Sequence, residues 1–111
     1  IGPGYGYTLN IPMNSGSNDK TYKSAFTEII IPALDHFQPE FILISAGFDA
    51  HKSDPLSSLN LSSSAYYMFT RMLLDIAHQY SNKHVLVVLE GGYEINSMIE
   101  SVDYVLKALM E

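Results

Sequence analysis

Hydrophobic and polar positions along the 111-residue chain alternate between the spacing of strands and the spacing of helices. Apolar runs predict one strand over residues 41–45 and a second over residues 84–89. Short apolar runs bounded by turn residues are typical of strands buried on both faces of a parallel sheet. The alternation over residues 7–11, which stops at Pro12, predicts a further strand near the start of the chain.

Three other segments repeat their apolar residues at the spacing of an amphipathic helix. Asn18 or Asp19 is expected to cap the first helix, and Pro32 to interrupt it, because proline lacks the N–H that the helical ladder needs. The second helix is expected to begin at one of three serines, residues 62–64. The apolar stripes are Phe26, Ile29, Ile30, Ala33 and Phe37; then Ala65, Phe69, Met72, Leu73, Ile76, Ala77 and Tyr80; then Ile95, Met98, Ile99, Val102, Val105, Leu106 and Leu109.

The order strand, helix, strand, helix, strand, helix predicts an α/β fold with a parallel sheet and right-handed crossover connections. The polar loops that follow the two later strands should then meet at one edge of the sheet. Open parallel sheets bind their ligands at that edge. A chain of this length forms one domain at most, and we find no internal repeat or linker in it.

Composition narrows the classes of function. The net charge is −6 and lysine and arginine form no cluster, which argues against nucleic acid as a partner and suits a cationic substrate. The lack of cysteine excludes disulfides, thiolate nucleophiles and cysteine-based zinc sites. Without a signal peptide or a bilayer-length apolar run, we expect a cytoplasmic protein with no membrane partner. Because the first residue is Ile1 and not Met, we expect a processed or excised chain.

Three ionisable residues, Asp49, His51 and Asp54, crowd the loop after the predicted strand 41–45. Gly47 permits a tight turn before them, and Pro55 closes the segment. A carboxylate oxygen suits Zn²⁺, and imidazole is the commonest metal donor in proteins. A metal site is therefore one interpretation, and a turn aspartate that bonds its own backbone is the other.

A glycine pair follows the predicted strand 84–89, in the sequence Glu90-Gly91-Gly92-Tyr93. Glycines permit positive φ and close backbone approach. A tyrosine hydroxyl beside them can donate a hydrogen bond to a developing oxyanion. The alternative is a tyrosine packed beneath a turn. Phosphate binding is weakly supported, because the sequence has neither Gly-x-Gly-x-x-Gly nor Gly-Lys-Ser/Thr.

Two motifs together resemble loops of the histone deacetylase family, which includes acetoin-utilisation proteins and acetylpolyamine amidohydrolases. The motifs are Ser45-Ala46-Gly47-Phe48-Asp49-Ala50-His51 with Asp54-Pro55-Leu56, and Leu89-Glu90-Gly91-Gly92-Tyr93. Their order and approximate spacing are similar to those of the family. The resemblance implies a three-layer α/β/α, arginase/deacetylase-like fold. Residues 1–111 would form the C-terminal part of a single catalytic domain of this kind.

The resemblance also implies roles for individual residues. Asp49 would be a zinc ligand, and Tyr93 would be the catalytic hydroxyl. The substrate pocket would be lined by Leu56, Gly91 and Gly92. Glu90 is not given the role of general base, because the family uses a histidine for that step.

The remaining loop residues receive structural roles from the resemblance: His51 near the pocket mouth, and Asp54 as an acceptor that shapes its loop. Family members take two further zinc ligands from an Asp-x-His motif on an earlier loop and their base from a His-His pair. Apart from Asp49-Ala50-His51, which lies in the first motif itself, this sequence contains neither. The zinc site is therefore expected to be incomplete in this chain. A monovalent-cation site of the family would, by position, include the carbonyl of Tyr7.

These features predict part of a zinc-dependent deacetylase that hydrolyses the acetyl amide of acetyl-lysine or an acetylpolyamine, inactive as the 111-residue chain alone. Two other classes stay open: a small-molecule binding module that uses the same crevice, and a non-catalytic interaction fragment. A sheet of about three strands would leave edges unpaired, so self-association of the chain is also expected.

Overall fold

The computed structural model describes residues 2–111. The elements are α1 (Asp19–Ala25), a π-helical turn (Phe26–Ile30), α2 (Ile31–Phe37), β1 (Ile42–Ala46), α3 (Ser63–Tyr80), β2 (Val85–Leu89) and α4 (Ile95–Met110). The strands pair in parallel, with Ile42 opposite Val85 and Ala46 opposite Leu89. The predicted α/β class and parallel sheet are therefore confirmed. Among residues 2–111, no helix combines the length and hydrophobicity that crossing a bilayer requires.

The helical segment that precedes β1 is interrupted where the sequence predicts. Asn18 caps it, with its side-chain oxygen accepting the Thr21 N–H at 3.2 Å. In the π-helical turn the Ile31 N–H donates to the Phe26 carbonyl, five residues earlier. Pro32 has no N–H to continue the ladder, so the wider turn takes up the break. Three members of the predicted stripe, Ile29, Ala33 and Phe37, are exposed, so the stripe is only partly confirmed.

The predicted strand over residues 7–11 is wrong. This segment has no regular structure, and the side chains of Tyr7 and Leu9 are exposed. The Tyr7 ring packs edge-on against Phe37, with 6.2 Å between the ring centroids. A strand needs a neighbour to pair its backbone groups, and within residues 2–111 the sheet offers this segment none. The sheet therefore has two strands here and not the predicted three.

The sheet is covered on one face. Ile42 and Val85 point towards the helices and pack with Ile76 and Ala77 of α3. On the opposite face Leu43 is 71% exposed, and Leu86 and Val88 are exposed as well. The expectation that the strands are buried on both faces is therefore wrong for this chain. The described residues place their helices against one face, so two of the three layers of an α/β/α fold are present.

The main core lies between α3, α4 and the loop over residues 47–62. Its buried members are Phe48, Leu61, Ala65, Tyr66, Phe69 and Val105. The loop closes on itself through the Leu61 N–H, which donates to the Ala50 carbonyl at 3.0 Å. Because Phe48 and Leu61 stand at its two ends, the core anchors the loop that carries the ionisable residues. The stripe of α4 is only partly covered, since Ile95, Ile99 and Leu106 are exposed.

Candidate functional site

Both motif loops leave the sheet side by side. Beyond the last strand pair the Glu90 N–H donates to the Ala46 carbonyl at 2.9 Å, and the Phe48 N–H donates to the Gly91 carbonyl at 2.8 Å. These bonds continue the parallel ladder past the ends of β1 and β2. The predicted meeting of the two loops at one sheet edge is thereby confirmed, and Asp49 is held close to the Gly91–Tyr93 loop.

The Asp49 carboxylate rests against two glycines. A Cβ atom added to Gly91 would lie 3.0 Å from Asp49 Oδ2 and 3.1 Å from its Cγ, and one added to Gly47 would lie 3.0 Å from Oδ1. Contacts of 3.0–3.4 Å are shorter than nine in ten real Cβ contacts, so the carboxylate would have to shift by a few tenths of an ångström. The absent side chains therefore make the space in which this carboxylate sits, one glycine on each of the two loops.

Gly92 has a different function in the backbone. Its φ of +142° lies in a region that L side chains rarely adopt, and a Cβ there would lie 3.1 Å from Met98 Cγ and 3.2 Å from Phe48 Cβ. The turn into α4 therefore needs a glycine at this position. Gly91 and Gly92 are expected to line a substrate pocket. In the structure Gly91 lies against Asp49, and Gly92 lies against Phe48 and Met98.

Asp54 links the two loops directly. Its carboxylate is buried, with the residue 5% exposed. Oδ1 accepts the Leu56 N–H at 2.9 Å, and Oδ2 accepts the Tyr93 N–H at 2.8 Å. Asp54 is expected to shape its own loop, and its hydrogen bond from the Leu56 N–H agrees with that role. The bond to Tyr93 spans a long stretch of sequence, so no local signal points to it.

His51, expected near a pocket mouth, is buried, at 4% exposure. Its Nδ1 accepts the Ser53 N–H at 3.0 Å, and its Nε2 lies 2.8 Å from Ser63 Oγ. Because Nδ1 accepts a hydrogen bond, we assign the proton to Nε2, which donates to Ser63. With both nitrogens engaged, this imidazole ties the loop to the start of α3.

Tyr93 and Leu56 border the outer surface of the site, 57% and 72% exposed respectively. Their backbones are fixed by Asp54, and their side chains are free to meet a ligand. Within residues 2–111, no three His, Cys, Asp or Glu side chains come close enough together to hold a metal ion. Asp49 therefore belongs to no three-donor metal site within the described part of the chain.

Two tyrosines near Asp49 were missed by the sequence analysis. Burial raises the pKa of Tyr22 and of Tyr66, and the negative charge of Asp49 raises both further. Both phenols therefore remain protonated in its vicinity. The two rings reach this place from α1 and α3, so their positions depend on tertiary packing that the local pattern does not report.

The second loop ends in a helix cap. Glu94 accepts the N–H groups of Asn96 at 3.2 Å and of Ser97 at 2.7 Å. The bond from the Ser97 N–H is the main reason why the pKa of Glu94 lies below its ordinary value. This cap starts α4 directly after Tyr93, which fixes the far end of the Gly91–Tyr93 loop.

A cavity of about 290 Å³ lies between the sheet and α3. Members of the main core line it, including Leu61, Tyr66 and Phe69, together with Ala46 and Val87 from the strands. Neither Tyr93 nor Leu56 lines this cavity, so it is distinct from the rim that these two residues form.

The comparisons with known proteins all indicate the same family. Residues 1–109 match the family model described as "Histone deacetylase domain". The chain is 38% identical over 109 residues to histone deacetylase 10, chloroplastic, of Oryza sativa subsp. japonica, covering 98% of this chain and 25% of that protein. It is 38% identical over 90 residues to the histone deacetylase-like amidohydrolase of Pseudomonas aeruginosa, covering 81% of this chain and 24% of that one.

The structural comparison agrees with the sequence comparison. The crystal structure of the HDA15 HD domain superposes with a TM-score of 0.91 at 38% sequence identity, covering 99% of this chain and 30% of that chain. The chain thus reproduces one continuous portion of the matched fold, and it spans about a quarter of the length of the two relatives above.

Proposed function

The chain belongs to the histone deacetylase family, and from this premise we propose that it forms the C-terminal part of a zinc-dependent amidohydrolase domain. The reaction would be hydrolysis of the acetyl amide of acetyl-lysine or of an acetylpolyamine. The observation that carries the proposal is the close approach of the Asp49 carboxylate to Gly91. This contact brings a carboxylate donor and the loop of Tyr93 to one sheet edge.

The donor chemistry of Asp49 suits one position of a zinc site, since carboxylate oxygens are common zinc ligands. Two further ligands would have to come from outside the described residues, because residues 2–111 hold no cluster of three donors. When bound, zinc supplies a Lewis acid that polarises a carbonyl and makes water a stronger nucleophile at neutral pH. We accordingly expect the 111-residue chain alone to be inactive, because members of a catalytic constellation act as a unit.

Tyr93 would stabilise the oxygen of the amide carbonyl as negative charge builds on it. Its hydroxyl would donate a hydrogen bond and keep its proton, so the residue would act by electrostatic complementarity to the transition state. Exposure of the side chain leaves it open to a substrate. Hydrogen bonds from Asp54 and from the cap of α4 fix the backbone on both sides of Tyr93, and thereby the point from which its side chain extends.

Charge and surface support a proposal for the substrate class. The net charge of −6 favours the approach of cationic amines and peptides rich in lysine. Leu56, at the rim, offers an apolar contact for the methylene groups of an acylated lysine or polyamine. We therefore propose an acetylated amine as substrate, with the acyl group at the base of the site and the amine chain along Leu56.

The test uses the longest form of the protein that carries these residues, purified with zinc and assayed on an acetyl-lysine reporter peptide. Asp49→Ala should abolish turnover and lower the bound zinc. Asp103→Ala removes a carboxylate that is exposed on α4 and serves as the matched control. Full activity in Asp49→Ala, or activity that survives complete removal of zinc, would contradict the proposal.

A second candidate function, a non-catalytic interaction fragment, is favoured by the open sheet face. Leu43, Leu86 and Val88 form an exposed apolar patch on that face, and each strand has one unpaired edge within residues 2–111. Such surfaces associate with other chains. We therefore propose that the isolated chain self-associates, by the patch or by an edge.

Light scattering coupled to size exclusion measures this association. Leu43→Lys should shift the chain towards monomer, whereas Leu9→Lys, at an exposed leucine of the N-terminal segment, should leave the association unchanged. A 12.4 kDa monomer at every concentration would rule out self-association.

A further inference from the structure

Tyr93 owes its backbone position to a residue on the other loop. The Phe48 N–H bonds the Gly91 carbonyl two residues before Tyr93, and the Glu94 cap begins one residue after it. Between these two points the Tyr93 N–H is held by Asp54 Oδ2 at 2.8 Å. Because the Tyr93 side chain is 57% exposed, this bond fixes the backbone from which the hydroxyl extends.

We propose that Asp54 is a positioning residue that couples the Asp49 loop to the Tyr93 hydroxyl. The inference rests on the proposed function, because it assumes that Tyr93 contacts the substrate. The two oxygens of one buried carboxylate bond N–H groups on two different loops, which fixes both loops in one arrangement. Hydrogen bonds to an ionised carboxylate are shorter and stronger than neutral ones, so the restraint is stiff.

The chain offers a matched control for a carboxylate that only stabilises the fold. Asp19 accepts the Ser62 N–H at 2.8 Å and the Ser62 hydroxyl at 2.5 Å, which ties α1 to the far end of the same loop. It resembles Asp54 in chemistry and in joining distant parts of the sequence. It differs in having no hydrogen bond to Tyr93.

The first measurement is amide hydrogen exchange on Asp54→Asn and Asp19→Asn. Asparagine at position 54 keeps one oxygen but has an NH₂ group in place of the other. Both partners, Leu56 and Tyr93, are N–H donors, so one of the two hydrogen bonds must be lost. Asp54→Asn should speed exchange at Tyr93, at Leu56 or at both, and leave Ser62 unchanged. Asp19→Asn should leave exchange at Tyr93 and Leu56 unchanged. Its own two contacts can persist, because the Ser62 hydroxyl can turn to accept from the new NH₂ group. Unchanged protection at both Tyr93 and Leu56 in Asp54→Asn would overturn the coupling.

The second measurement is steady-state kinetics of the longest form of the protein. Misplacement of a catalytic group by about 1 Å costs on the order of 100-fold, so Asp54→Asn should lower kcat about 10- to 100-fold. Its KM should change by less than about 3-fold, because the loss falls on the transition state. Asp19→Asn should keep its kcat once the folded fraction is taken into account.

A double-mutant cycle separates positioning from general stability. If Asp54 acts through the Tyr93 hydroxyl, Asp54→Asn should have almost no further effect on kcat in a Tyr93→Phe background. An equal loss in both backgrounds would overturn the proposal in favour of a structural role. Should Tyr93→Phe alone leave kcat intact, the catalytic assignment of Tyr93 fails and the positioning role fails with it. The exchange data would still show whether Asp54 joins the loops, so the two failures remain distinguishable.

Discussion

Gly91→Ala should damage this site although it removes no polar group. The added methyl group would meet Asp49 Oδ2 at 3.0 Å, Cγ at 3.1 Å and Oδ1 at 3.3 Å. All three atoms belong to the carboxylate, so the whole group has to move. No positive φ forbids alanine at this position, and the expected harm is therefore purely steric.

The size of the effect follows from these contacts. Adding a methyl group to a filled site costs about 1–3 kcal/mol of unfolding free energy. A side chain forced about 30° from its rotamer costs about 0.5–1.5 kcal/mol. Because the obstacle is one short side chain and not backbone, we expect a loss of about 1–2 kcal/mol, near the low end of the overpacking range. For a domain of this size, that loss lowers Tm by about 4–10 °C.

The assay is urea unfolding of Gly91→Ala with and without Asp49→Ala. Removing the carboxylate removes the obstacle, so Gly91→Ala should cost less than about 0.5 kcal/mol in the Asp49→Ala background. Gly4→Ala is the control, since nothing lies within 4 Å of its added Cβ and it carries the same loss of unfolded-chain entropy. An equal cost of Gly91→Ala in both backgrounds would refute the steric reasoning.

Three further predictions concern metal, catalysis and pH. The 111-residue chain should bind Zn²⁺ weakly and show no turnover on an acetyl-lysine reporter; robust, chelator-sensitive activity would contradict this. In the longest form of the protein, Tyr93→Phe should lower kcat by about 10²–10³ and change KM far less, and an effect on KM alone would return Tyr93 to a packing role. The Ser97 N–H lowers the pKa of Glu94, so Glu94 contributes stability above its ordinary pKa that is lost as pH falls through the lowered value. Urea unfolding across the acid range should therefore show a shallower acid loss in Glu94→Gln, and identical pH profiles would exclude this contribution.

Local pattern predicted the fold well where burial is set within a short segment. The run that became β1 and the stripe centred on Phe69 in α3 both contact the core, so their periodicity reports real burial. Residues 7–11 carry the same strand alternation. A strand also needs a neighbouring strand to pair with, and the alternation does not show whether one is available. The same limit explains Leu43, whose apolar character predicts a covered face that residues 2–111 leave open.

The sequence predicts which two loops form the site, but not which residues of these loops contact one another. The position of Asp49 after one strand and of Tyr93 after another follows from the order of elements, because parallel strands end at one sheet edge. The packing of Gly91 on Asp49 and the bond from Tyr93 to Asp54 depend on the register Ala46 to Leu89. Register is a tertiary property, and a one-residue shift would have aimed these groups elsewhere.

The parallel pairing of β1 with β2 also has a consequence for how the chain acquires its native state. Parallel neighbours cannot be joined by a hairpin, so a long loop and all of α3 must be enclosed before the first ladder bond forms. Closing such a loop has an entropic cost that local helix formation avoids, which places strand docking late in the folding reaction. Stopped-flow measurements should accordingly find that core variants in α3 slow refolding while variants in β2 mainly speed unfolding. Asp49 and Tyr93 would then come together only in the final step. The rate at which the site forms would therefore be set by docking of β1 on β2, although neither strand belongs to the site.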